Sequence, residues 1–325
     1  MRRLFIIIIL IVTVSCSSST QAPASAPVSR PPLRIGWIVW PGWYPIIIAQ
    51  EKGFFAKHNV RVEAKLYSLY SEIPADFAAN NIDGSLIGLY DMLSMPSADQ
   101  ARVVLVTDTS DGAEGLIAVN TIRQAQDLKG KRVGVVKGSI GEFFLHRFLA
   151  DNNMSINDVQ LFEMDPETVA TNMPGAIDAG YTWEPHISQA ASQRNVVLAS
   201  TADITGLVPD VLMVRDSVVR DRADDVRGFV AAWFEAVIYW QQNLAECNAI
   251  IAKQLNMQPS EISTQGVKLF TQVDNNNAFT QGNSLTSLYY TAKTQLSFIQ
   301  TYNGVNTNLD INQLLDPSFI TSATK

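Results

Sequence analysis

The residue types that do covalent or metal chemistry are few in this chain and far apart. Its three histidines, His58, His146 and His186, share no spacing that lets two of them bind one metal ion. Its two cysteines stand at 16 and 247, so no Cys-x-x-Cys pair exists. Gly134-Val135-Val136-Lys137-Gly138-Ser139 has the glycines of a phosphate loop but lacks the Gly-Lys-Ser/Thr ending. The glycines at 138 and 141 do not flank Ser139 as in a nucleophile elbow. These residues predict no catalytic group, no metal and no cofactor. Cys247, in an apolar helical run, reads as a small core residue.

Binding chemistry is better represented. Trp37, Trp40, Trp43 and Tyr44 put four large rings into a short stretch that follows a predicted strand. Rings of this kind make rigid walls for a small polar solute; at least one of Trp37 and Trp40 is expected to face it, the others filling space between strand and helix. Gly138, Ser139, Ile140 and Gly141 open a helix, where free amides receive negative charge or a carbonyl. Ser139 with Glu142 three residues on also reads as a capping box that already satisfies those amides, and both roles stay open. The loops expected around a cleft carry Asp91, Asp108, Asp111, Glu114, Glu142, Glu184 and Asp210 against one base, Lys137. Most carboxylates cap helices or face water, yet tryptophans beside buried ones suit an amine, amidinium or quaternary ammonium group. The expected ligand is therefore a small nitrogenous solute with a positive or zwitterionic group. It would be held between Trp37 or Trp40 and at least one of Asp91, Glu184 and Asp210, with Asp111 to Gly115 adding backbone contacts.

The elements that must position these residues alternate along the chain. Arg34 to Val39, Val60 to Leu66, Ser85 to Gly88 and Arg102 to Thr107 read as strands, separated by helical stretches at Pro45 to Lys57, Ile73 to Asn80 and from Asp91. A second series runs through Leu116 to Val119, Arg132 to Val136, Val159 to Phe162, Ala176 to Thr182 and Val196 to Ala199. Val211 to Val214 looks like a strand returning to the first unit, and from Ser217 the pattern is almost wholly helical, with Val226 to Leu255 at helical spacing. Alternation of this kind predicts parallel α/β architecture, with ligands at the C-terminal ends of strands. No internal repeat is visible.

The N-terminus sets the expected compartment. Arg2 and Arg3 precede the apolar run Leu4 to Val14, which is about half the roughly 20 residues a membrane span needs; this is the pattern of a secretory signal. Val14-Ser15-Cys16 resembles a bacterial lipoprotein signal, with Thr13 where Leu is usual, and implies lipidation of Cys16 and membrane attachment. Ser17 to Pro32 is rich in Ser, Ala and Pro and reads as a tether. The chain has net charge −7; loss of residues 1–15 removes Arg2 and Arg3 and leaves 22 basic against 31 acidic residues, or −9. That balance disfavours nucleic acid as a partner.

Three motifs add a resemblance. Gly36-Trp37 through Ala49-Gln50-Glu51-Lys52-Gly53-Phe54-Phe55, Asp127-Leu128-Lys129-Gly130-Lys131-Arg132-Val133-Gly134, and Trp183-Glu184-Pro185 occur in that order. Together they resemble the nitrate, sulfonate, taurine and thiamine-pyrimidine binding proteins of ABC importers, over about residues 33 to 240. The resemblance implies an α/β type II periplasmic-binding-protein fold: two doubly wound domains, a hinge and a central ligand cleft. Domain I would comprise 33–112 and 212–325, domain II 113–211. It implies a monomer that delivers a small-molecule solute to permease subunits outside the cytoplasm. Trp37, Trp40, Tyr44, Asp91, Asp111, Ser139, Ile140, Gly141, Trp183, Glu184 and Asp210 are the expected ligand contacts. An oxyanion binder on the same scaffold, a ligand-sensing accessory to a membrane receptor, and an enzyme like the pyrimidine-forming synthase are the competing readings.

Overall fold

The computed structural model describes residues 30–204, 206–302 and 309–321, so the expected signal segment, Cys16 and most of the tether lie outside the described residues. Residues 32–325 form one compact unit. Its strands are β1 (Leu33–Trp37), β2 (Val62–Leu66), β3 (Gly84–Gly88), β4 (Ala101–Ser110), β5 (Glu114–Ala118), β6 (Arg132–Val135), β7 (Gln160–Glu163), β8 (Ala179–Trp183), β9 (Val196–Ser200), β10 (Pro209–Arg215) and β11 (Val267–Leu269). They make two sheets, ordered β11-β4-β10-β3-β1-β2 and β7-β6-β8-β5-β9.

The fold is α/β, as the alternation predicts, but the sheets are mixed rather than parallel. β2-β1-β3 and β7-β6-β8 are parallel, whereas β10 pairs antiparallel with β3 and β4, and β5 pairs antiparallel with β8 and β9. The chain passes from one sheet to the other at 111–113 and returns at 201–208, and the strands entered straight after each crossing, β5 and β10, are the ones that run antiparallel to their neighbours. The two crossings are tied together: the Thr201 hydroxyl lies 2.7 Å from that of Ser110 and accepts from the Gly112 amide at 2.9 Å.

Several boundaries move for local reasons. The helix expected over 45–57 is two, Pro45–Glu51 and Phe54–Lys57, because Gly53 at φ +72° breaks it. Asn243, outside helical geometry, divides the long run into Ala223–Gln242 and Leu244–Leu255. The helical C-terminal third also contains β11, which pairs with β4 at the sheet edge. Ala223–Gln242 buries Val226, Phe229, Val230, Trp233, Phe234, Val237 and Trp240, a spacing of three and four that defines one apolar face. That face meets the rings of Tyr44 and Phe55. Each fully buried side chain of this size contributes about 1.5–3 kcal/mol, so this helix fixes the helices that follow β1. Among the described residues no helix is long and apolar enough to cross a membrane.

Candidate functional site

Strand register brings distant carboxylates into line. In the first sheet Asp210 of β10 lies opposite Asp108 of β4 on one side and Gly88 of β3 on the other. In the second sheet Glu114 of β5 lies opposite Trp183 of β8. Asp91 stands one turn past β3, in the short helix Leu89–Ser94. Gly88 is bare for a reason: a Cβ there would lie 2.6 Å from Asp91 Oδ2 and 3.6 Å from Asp210 Oδ1.

Between the sheets these groups surround a cavity whose walls are Trp40, Trp43, Tyr70 and Trp183, with Ile38, Ile140 and Val208 as further apolar lining and Asp91, Glu114 and Asp210 as the charged groups. Every one of these except Tyr70 is buried. Tyr70 sits edge-on to Trp183 at 5.5 Å between ring centroids and 6.4 Å from Trp43. The cavity volume is about 30 Å³. The indole N–H groups of Trp43 and Trp183 have no acceptor among the described residues, although both side chains are buried, at 2% and 5% exposure. A buried donor left unpaired costs about 1–3 kcal/mol. These two are the places where the cavity wants an acceptor.

The aromatic corner after β1 is held from below. Pro41–Trp43 forms a single tight turn without a side-chain cap. Trp40 Nε1 donates to Asp108 Oδ1 at 2.9 Å, and a methyl at Gly42 would overlap the Asp108 carboxyl. Thr107 donates to the other Asp108 oxygen at 2.8 Å. Tyr70 accepts from the Gly88 amide and donates to Asp91 Oδ2, both at 2.9 Å. Tyr181 donates to Glu114.

Four carboxyl groups thus share one buried region, and no Lys, Arg or His lines the cavity. Burial pushes Asp91 up to about 6 against the pull of its donors, the Ile140 amide and the Tyr70 hydroxyl. Burial pushes Glu114 up to about 8, the Tyr181 hydroxyl opposing and the charges of Asp91 and Asp108 assisting. Burial raises Asp210 well above its ordinary value, and the charges of Asp108, Glu114 and Asp91 add to the rise. Among the described residues no three His, Cys, Asp or Glu side chains converge as metal ligands. Rings beside carboxyl groups can stabilise a cation.

Of the residues expected from sequence, Trp40, Asp91, Ile140, Trp183 and Asp210 line this cavity. The others lie elsewhere. Trp37, at the end of β1, faces a separate surface groove with Ile46, Ile47 and Gln50, because strand alternation turns it under the helix Pro45–Glu51. Tyr44 packs on Trp240 at 6.1 Å and lies with Glu184 along an outer polar groove. Glu184 accepts from the Ser188 amide and hydroxyl at 3.1 and 3.0 Å, so it caps the helix His186–Ser192. Asp111 lies in the exposed crossing turn, its amide donating to Gly266 O at 2.7 Å. Ser139 caps the helix Ile140–Asp151, accepting from Gly141 and Glu142 amides at 3.1 and 3.4 Å. Glu142 reaches the Gly138 amide at 2.7 Å, one residue short of a capping box. Gly141 makes room for the Tyr181 ring, which a Cβ would approach to 2.8 Å. Sequence reasoning passed over Tyr70, although its place just beyond the C-terminal end of β2 was a usable signal. It counted Glu114 only as an acidic loop residue.

Residues 26–256 match the model of the NMT1-like family. A protein of Brucella abortus (strain 2308), named as a binding protein, is 27% identical over 76% of this chain and 78% of its own length. Among solved structures, the periplasmic aliphatic sulphonate binding protein SsuA from Escherichia coli superposes with TM-score 0.69 at 18% identity, over 88% of this chain and 97% of that one. The desulfurization enzyme DSZB superposes with TM-score 0.65 at 17% identity, over 90% and 99%. At such identities the two structures share the fold.

Proposed function

The chain belongs to the NMT1-like family, and from that membership we propose that it is the solute-binding component of an ABC importer, taking a small cationic or zwitterionic nitrogenous molecule between its sheets. The observation that carries the ligand class is the cavity: three tryptophans and a tyrosine around three carboxyl groups, with no base among its lining residues. A cation over such rings gains roughly 0.5–2 kcal/mol beyond its ion pairing. In this reading residues 33–112 with 212–325 and residues 113–211 are two domains that hinge at the crossings. The solute enters when they part and is gripped when they close. The protein works outside the cytoplasm as a monomer, held to the membrane by lipid on Cys16, and passes its solute to permease subunits.

The oxyanion reading draws support from the sulphonate-binding neighbour. It asks for basic groups that the cavity lining lacks, since a buried anion without a partner is costly. An enzyme on this scaffold has a precedent in the desulfurization enzyme, but the cavity lining presents neither Cys nor His.

Native mass spectrometry of freshly purified protein tests the proposal. A small nitrogenous mass should leave on gentle activation, and adding that compound back should raise the melting temperature. Disruption of the gene should abolish its uptake. A retained sulfonate or nitrate would remove the cation reading, and uptake unchanged in the disrupted strain would remove the transport role.

A further inference from the structure

The helix Ile140–Asp151 begins at the cavity, where a helix start ordinarily receives an anionic head group. Here that place is taken from within. Asp91, from the first sheet's side, puts Oδ1 at 2.9 Å from the Ile140 amide. The next two amides, Gly141 and Glu142, are directed at Ser139 Oγ, and the Gly138 amide at the Glu142 carboxylate. An anion arriving at this corner would meet a carboxylate already seated on the donor, with Glu114 and Asp210 lining the same cavity. Of the buried indole N–H groups that lack an acceptor among the described residues, on Trp37, Trp43, Trp183 and Trp233, those of Trp43 and Trp183 belong to the cavity lining and call for an oxygen on the ligand. With three carboxyl groups lining the same cavity, that oxygen is one without charge.

Resting on the solute-binding reading above, we propose that the ligand is a compact organic monocation carrying a neutral oxygen acceptor, and that Asp91 is the specificity-determining residue that turns away oxyanions and zwitterions by occupying the Ile140 amide. The ammonium lies among the rings against Glu114 and Asp210; the hydroxyl, ether or carbonyl oxygen accepts from Trp43 or Trp183. Asp91 acts as an internal substitute for the anionic head that this corner would otherwise bind.

Matched probes test this with the full chain. Ethanolamine and choline are monocations with a hydroxyl; glycine and glycine betaine are their zwitterionic counterparts; methanesulfonate and nitrate are oxyanions. Calorimetric titration should show wild type binding ethanolamine or choline at least tenfold more tightly than the matched zwitterion, with no binding of either oxyanion. Asp91→Ala, which frees the Ile140 amide, should gain at least tenfold for methanesulfonate or nitrate and lose affinity for the cation. Asp91→Asn keeps an acceptor on that amide and guards against a folding failure; it should weaken the cation while gaining less for oxyanions than the alanine variant. Equal binding of zwitterion and cation by wild type overturns the proposal, as does a folded Asp91→Ala with unchanged selectivity. Wild type that ignores all six probes yet releases some other small mass overturns the monocation class alone. Wild type that neither binds nor releases any solute sinks the solute-binding reading itself.

Discussion

Each sheet is laid out on the same plan. A first strand, β1 or β6, lies between two parallel neighbours, β2 and β3 or β7 and β8; the third strand then pairs antiparallel with one that has just crossed over, β10 or β5. Even the ion pair at the start repeats. Arg34 of β1 grips Asp83, just before β3, through its side chain at 2.7 Å and its backbone amide at 2.9 Å. Arg132 of β6 grips Asp178, just before β8, at 2.8 and 3.0 Å. What differs is the corner after the first strand. In the first sheet it is a tight turn of rings propped on Asp108; in the second it is a glycine-serine helix start whose amides are already bonded. One scaffold thus yields an aromatic wall and a filled anion site. The rings, Ser139 and Glu142 belong to the corners themselves, and the opposite strand and the opposite sheet add Asp108 and Asp91.

The comparison is broken most directly by adding one methyl to each corner. Gly42→Ala drives a Cβ into the Asp108 carboxyl, and overpacking of this kind costs about 1–3 kcal/mol. Because Trp40 and Trp43 must move, solute affinity is expected to fall more than tenfold along with the melting temperature. Gly138→Ala forces an L-residue to φ +80°, at about 1–2 kcal/mol. It should lower the melting temperature yet leave affinity nearly intact, because Asp91 already fills that corner. Equal losses of affinity in calorimetry would mean that the second corner touches solute after all.

Next in size is the response to pH. Asp91 and Glu114 have folded values near 6 and 8 against ordinary values of 3.8 and 4.5, so the folded chain holds more protons than the unfolded one between those limits. Their contribution is complete below about pH 4 and is lost as pH rises towards 8. Asp83 and Asp178 are held below 3.8 by Arg34 and Arg132, and weaken the fold only when pH falls further. Solute-free protein should therefore melt highest near pH 4 and progressively lower up to pH 8.5. A shift of about 2–4 °C is expected per kcal/mol in a chain of this size. A bound cation should flatten the slope; a curve rising from pH 5 to 8 would contradict the buried cluster. The smallest effect belongs to the shared ion pair. Arg34→Ala and Arg132→Ala should lower the melting temperature modestly and similarly, with affinity unchanged, and a marked asymmetry in thermal melts would show that the two sheets do not use the pair alike.

Much of this layout was legible beforehand. The alternation of strand and helix, the return of 211–214 to the first sheet, and the rings after β1 are local patterns, set by side-chain period and turn chemistry. Trp37 and Glu184 fall outside the cavity lining because a strand's end and a helix's first turn offer two faces each, and sequence does not say which face the neighbour covers. Tyr70 escaped because a single tyrosine in a loop has no period. The repeat between the sheets left only short traces, Arg34-Ile35-Gly36 beside Arg132-Val133-Gly134 and Ile82-Asp83 beside Ile177-Asp178, too brief to stand out as an internal repeat.

By itself the sequence determined most of the segments that become strands and helices, that the chain is acidic, and that its rings and carboxylates outnumber its bases where strands end. These follow from residue type and spacing over a few positions. Only the tertiary structure decided that Asp108, Asp210 and Gly88 share a row, that Asp91 sits on the Ile140 amide, and which indoles of the cavity wall lack partners. Those facts depend on strand register and on contact between sheets, where groups about fifty to a hundred residues apart meet and burial fixes their protonation. No local pattern encodes such meetings, because the chain between them can vary without changing either end.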